Sequence, residues 1–113
     1  MNNSMDWAIG LSCAITVCAN DGTILYMNEK SQQVFEKWGG KELIGQSLWG
    51  CHSEMSVETI KRLMENKESN CYTIEKNGVK KLIYQTPWFE GEKLGGLVEI
   101  SIELPSSIPH HIR

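Results

Sequence analysis

Cys51 and His52 stand side by side, and of all neighbours in the chain they are the pair best equipped for chemistry. An adjacent imidazolium lowers a thiol's pKa, and thiolate and imidazole both bind zinc. Two neighbouring residues rarely share one ion, so a tetrahedral site would need two further ligands from Cys71, Cys13 or another chain. The four cysteines, Cys13, Cys18, Cys51 and Cys71, show no CxxC spacing. In a reducing compartment they read as free thiols, serving as small apolar groups. His110 and His111, in the tail, make a weaker pair still. Trp38, Trp49, Tyr72, Tyr84 and Trp88 can line a pocket in which Gln85 or Thr86 orients a ligand, and they serve equally well as plain core. No HExxH, no phosphate-cradling glycine loop with lysine, and no Ser-His-Asp set around a strained turn is present, which leaves catalysis without a foothold.

Whatever these residues do must be done within one compact unit, because 113 residues bury one hydrophobic core and not two. An apolar share of 41% and a charged share of 22% exclude disorder and membrane spans. The formal charge of -3, with signs interspersed, offers no basic stripe for a phosphate backbone and no polybasic anchor. The expectation is therefore no direct nucleic-acid partner and no membrane. Residues 1–13 lack a basic start, a long apolar stretch and a cleavage site, so a cytoplasmic location is expected.

The elements that would position the candidates follow from period and punctuation. Residues 14–18 and 23–27 alternate in strand fashion around Asn20-Asp21-Gly22, a hairpin signal. Asn28 is suited to cap a helix over 29–38 that Gly39-Gly40 ends, with Ser31, Val34, Phe35 and Trp38 on one face. Residues 43–52 read as short helical turns. A second helix over 57–66 places Val57, Ile60, Leu63 and Met64 together, capped by Ser56. Residues 71–76, 79–89 and 94–104 then form a three-stranded meander, turned first at Asn77-Gly78. Pro87 predicts a bulge or strand end near Trp88, and Ile100 counts as core. Residues 1–13 form a lead-in with Met5, Ile9 and Leu11, and 105–113 a loose tail.

This order resembles a PAS domain over about residues 8–104, with the domain proper at 14–104. The resemblance is carried by Asn20-Asp21-Gly22-Thr23-Ile24, by Tyr26-Met27-Asn28-Glu29 leading to Phe35, by Leu43-Ile44-Gly45-Gln46-Ser47-Leu48 with Gly45 at a tight turn, and by the closing run from Gly95 to Ile102. It implies an α+β fold: a five-stranded antiparallel sheet in order 2-1-5-4-3, with helices on one face enclosing a small cavity. Members of that family bind haem, flavin or metabolites, or bind nothing and dimerise, and pass signals to a kinase, a cyclase or a DNA-binding output. The Asn-Cys-Arg-Phe-Leu-Gln stretch of the flavin photoreceptors is absent, since 46–53 reads Gln-Ser-Leu-Trp-Gly-Cys-His-Ser. His52 is the one histidine inside the domain able to serve as a haem ligand.

The reading that results is a non-catalytic sensing module, either stand-alone or a piece of a larger protein. Its expected pocket residues are Trp49, Cys51, His52, Tyr84 and Gln85. It is expected to form a homodimer, to accept a small-molecule ligand of unknown identity, and to work with a kinase or transcription regulator. The alternatives are a ligand-free interaction and dimerisation module, or a haem or redox sensor using Cys51 and His52.

Overall fold

The computed structural model describes residues 6–50 and 54–113. Strands β1 (Ala14–Ala19) and β2 (Ile24–Met27) come first, then helix α1 (Glu29–Val34). Three short 3₁₀ turns (Glu36–Trp38, Gly40–Leu43, Leu48–Gly50) lead to helix α2 (Glu54–Asn66). Strands β3 (Asn70–Lys76), β4 (Val79–Glu90) and β5 (Lys93–Glu103) complete one antiparallel sheet in the order β2-β1-β5-β4-β3. The predicted α+β layout and strand order are those observed. No helix among the described residues is long and apolar enough to cross a membrane.

The turns form for the reasons their sequences give. Asn77 and Gly78 both take positive φ, 53° and 80°, and join the Lys76–Val79 pair in a two-residue loop. The first hairpin is wider: Thr23 N–H donates to the Asp21 carboxylate at 2.9 Å, and Ala19 N–H to the Thr23 carbonyl at 2.8 Å. The register slips at Trp88/Phe89, one residue past Pro87, where β4 has outrun β3 and pairs with β5 alone.

Several boundaries differ from expectation. The first helix stops at Val34, and residues 36–38 continue as a 3₁₀ turn that leaves Trp38 62% exposed. The second begins at Glu54, so Ser56 lies inside it and does not cap it. Residues 7–10 form turns and no helix, and Met5 lies outside the described residues. Most consequential is β5, whose phase is opposite to the expected one. Leu97 and Glu99 face the helices, whereas Val98, Ile100 and Ile102 lie on the outer face, where Ile100 is half-buried and Ile102 exposed. The sheet is apolar on both faces, and alternation by itself does not say which one the helices cover.

Two clusters fill the space between sheet and helices: Cys18, Ile60, Leu63, Met64 and Leu97, and then Ile24, Met27 and Leu43, with Leu48 packing against both. The Asn28 side chain is wholly buried. Its Oδ1 accepts from Ile15 N–H at 2.9 Å and Ser31 N–H at 3.0 Å. Its Nδ2 donates to the carbonyls of Ala8 and Cys13, each at 2.9 Å. Asn28 thus caps α1 as predicted and also ties that helix to β1 and to the lead-in.

Truncation by Asn28→Ala strands those four backbone groups, which should cost about 3 kcal/mol or more. Urea denaturation monitored by circular dichroism is expected to show that loss, and a variant within about 0.5 kcal/mol of wild type would contradict the role assigned to the amide.

Candidate functional site

Between the inner sheet face and the helical segment lies a cavity of about 530 Å³. Its sheet wall is Thr16 and Cys18 of β1, Ile24 and Met27 of β2, and Leu97 and Glu99 of β5. Its other walls are Phe35 just past α1, Trp38, Leu43, Leu48 and Gly50 from the 3₁₀ turns, Gln46 from the loop between them, and Ile60 of α2. A smaller cavity of about 310 Å³ is lined by Ser56, Thr59, Ile60, Asn70, Tyr72, Gln85 and Glu99. The two share Ile60 and Glu99, so the carboxylate stands on the boundary between an oily chamber and a polar one.

The sheet places that carboxylate. Glu99 pairs with Thr16 on one side and Gln85 on the other, at the centre of the inner face. Gln85 Nε2 donates to Glu99 Oε1 at 2.8 Å, and Gln85 Oε1 accepts from Asn70 Nδ2 at 3.0 Å. A relay therefore runs across β3, β4 and β5. On the far side Thr16 and Ser31 share a hydroxyl–hydroxyl bond of 2.6 Å. Glu99 is the one ionisable acid or base, apart from the Cys18 thiol, on the wall of the larger cavity among the described residues. Burial pushes the Cys18 thiol up, against the Leu97 N–H that favours the thiolate, and the charges of Asp21 and Glu99 push the same way. Burial also raises the Tyr72 hydroxyl, with the Glu99 charge adding to it.

Backbone contacts hold β5 close to β1. A Cβ on Gly96 would collide with the Cys18 carbonyl oxygen and stand 2.7 Å from the Ala19 carbonyl carbon. Gly95 leaves room for the ring of Trp88, whose Nε1 donates to the Cys18 carbonyl at 3.1 Å. Gly95-Gly96 thus marks close approach of a backbone and an indole.

The sequence-derived candidates scatter. Cys51 and His52 lie outside the described residues. Gln85 is buried and lines the smaller cavity. Trp49 lines neither cavity: its indole covers Gly22, and the Lys61 ammonium sits 4.9 Å from its ring centroid. Tyr84 lies on the outer face, 38% exposed, with its hydroxyl 3.4 Å from Ser69 Oγ. Sequence reasoning passed over Thr16, Cys18, Phe35 and above all Glu99. The signal was available: Glu99 sits two residues from Leu97 and shares its face, and a carboxylate at an inward strand position needs a reason to be there. Among the described residues no group of three or more His, Cys, Asp or Glu is arranged to hold a metal ion.

Thiol modification tests this placement. At pH 8 the exposed Cys71 should react with a maleimide first, and Cys18, 3% exposed and held as the thiol, only on unfolding or on opening of the cavity. Peptide mapping by mass spectrometry reads the order, and equal rates at the two positions would contradict the enclosed position of Cys18.

No protein-family model matches the sequence, and no curated protein matches it. Solved structures do match. The PAS domain of histidine kinase ThkA is 22% identical, covers 80% of this chain and 97% of its own, and superposes with a TM-score of 0.66. A sensory box sensor histidine kinase from Vibrio cholerae is 15% identical, with 84% of each chain covered and a TM-score of 0.63. The Aer2 receptor from Vibrio cholerae, described as a dual PAS-haem oxygen sensor, is 12% identical, covers 82% of this chain and 95% of its own, and reaches 0.64. With the strand order, the helical segment between β2 and β3 and the cavity already described, these likenesses show that the chain has the fold of a PAS domain.

Proposed function

We infer that this protein is a non-catalytic sensing module whose larger cavity takes a small ligand and whose state is passed to a partner. The observation that carries the reading is the cavity itself, about 530 Å³ inside a small domain, apolar on most sides and with a few convergent polar groups at Thr16, Gln46 and Glu99. Ligand sites are commonly about 300–1,000 Å³ with that lining, whereas a filled core leaves few voids larger than a water molecule. A ligand acts by binding two states of the domain unequally, and the walls belong to elements that can shift apart, since Phe35, Trp38 and Leu43 stand on short turns while Cys18 and Leu97 stand on the sheet. The similar structures are PAS modules of kinases and receptors, which supports an output through an attached or separate kinase or transcription regulator in the cytoplasm.

A second reading, an interaction module, has its own support. The outer sheet face carries Tyr84 and Ile102 exposed, with Val98 and Ile100 half-buried beside them, and such a surface suits pairing with a second copy or a partner. The haem or redox alternative rests on Cys51 and His52, outside the described residues. A Soret band in the purified protein would support it.

Leu48 borders both core clusters and the cavity. Leu48→Trp should fill the chamber at a stability cost of no more than about 2 kcal/mol. Native mass spectrometry is expected to find a copurifying small molecule on the wild type and none on the variant. A wild type that carries nothing and binds nothing from a metabolite library, while still dimerising, would favour the second reading.

A further inference from the structure

The ligand reading can be narrowed by the charge inside the chamber. Glu99 is held between Thr16 and Gln85 by strand pairing, and Gln85 occupies one of its two oxygens at 2.8 Å. Gln85 is itself fixed by Asn70 at 3.0 Å, so the carboxylate is oriented before any ligand arrives. No lysine, arginine or histidine lines either cavity among the described residues. The one ion pair of side chains among the described residues, Lys30 with Glu103 at 3.6 Å, lies elsewhere. Across the chamber, Phe35 and Trp38 stand as a tilted aromatic pair with ring centroids 6.3 Å apart, and both border the space. Glu99 and the Phe35 ring make that space electrostatically negative, while the outer side of the Trp38 ring already carries the Lys37 ammonium at 5.6 Å; apart from Thr16, Gln46 and Gly50 the rest of the described lining is aliphatic or thiol.

We propose that the chamber selects a small hydrophobic monocation, a protonated amine on a compact apolar or aromatic body, with the ammonium on Glu99 and the body against Met27, Leu43, Ile60 and Leu97. This rests on the reading of the cavity as a ligand site and adds the sign of the ligand's charge. An anion would meet the carboxylate with no lysine, arginine or histidine among the described wall residues to offset it. A neutral molecule of the same shape gains the same apolar burial but loses the charge-assisted hydrogen bond to the second oxygen. The polar chamber beyond Glu99, with Asn70 and Gln85 fixed there, gives the remaining ammonium protons a hydrated side.

Three probes of nearly equal shape decide the matter: 2-phenylethylamine, 2-phenylethanol and 3-phenylpropanoate, titrated into the isotopically labelled protein at pH 7 and followed by amide and methyl chemical shifts. The amine is expected to move the resonances of Cys18, Leu43, Ile60 and Leu97 and to bind about tenfold or more tightly than the alcohol. The propanoate should bind least. Glu99→Gln, nearly isosteric and still able to meet Gln85, should bring amine and alcohol to within about threefold of each other, with little change for the alcohol. Equal or tighter binding of the alcohol or the propanoate in the wild type overturns the charge selection while leaving the cavity a ligand site. Failure of all three to bind removes both. The wild-type ranking stands without the variant, so a misfolded Glu99→Gln leaves the test decisive.

Discussion

A wholly buried primary amide, that of Asn28, ties together β1, α1 and the lead-in at one point. Its oxygen accepts from the Ile15 amide of β1 and an orphan amide of α1, and its nitrogen donates to two carbonyls of the lead-in. Only an amide of this size offers two acceptances and two donations at once. A carboxylate would lose both donations, and an isosteric leucine would lose everything. The entry into α1, and with it Phe35 and the turns that wall the cavity, follows from satisfying this group.

The second constraint is the narrow seam between β1 and β5. Gly96 lets β5 lie against the backbone of Cys18 and Ala19, and Trp88 uses the room over Gly95 to bond the Cys18 carbonyl. That seam sets the register, and the register sets the phase that turns Leu97 and Glu99 inward. Site chemistry here is a by-product of strand pairing: shift β5 by one residue and the carboxylate would point to solvent.

Much of the fold was legible because its signals are local. Asn77-Gly78, the alternation of 14–18, and the cap at Asn28 each specify their own structure, whereas the strand order came from the resemblance to a PAS domain. The site was far less legible. Whether Glu99 or Ile100 faces inward depends on which side the helices cover, and both phases of β5 are rich enough in apolar residues to be buried. Trp49 and Tyr84 drew attention as large aromatics, yet one roofs the first hairpin and the other lies on the outer face. Residue type predicted how much surface they would bury and carried no information about direction.

The two rims of the sheet are finished differently. Beside β2 the loop takes up the hydrogen bonds: Gly45 N–H donates to the Ile24 carbonyl at 2.7 Å, Ile24 N–H to Gln46 at 2.9 Å, and Thr23 bridges Ser47. Beside β3 nothing does so among the described residues, and the ladder of Asn70–Lys76 stays open with Tyr72 and Ile74 exposed on it. What guards it is charge, with Glu75 and Lys76 on the strand and Lys80 and Lys81 next door. Stacking of these molecules into fibres would find its readiest start at that margin, and neutralising those few side chains would remove the electrostatic fence that guards it.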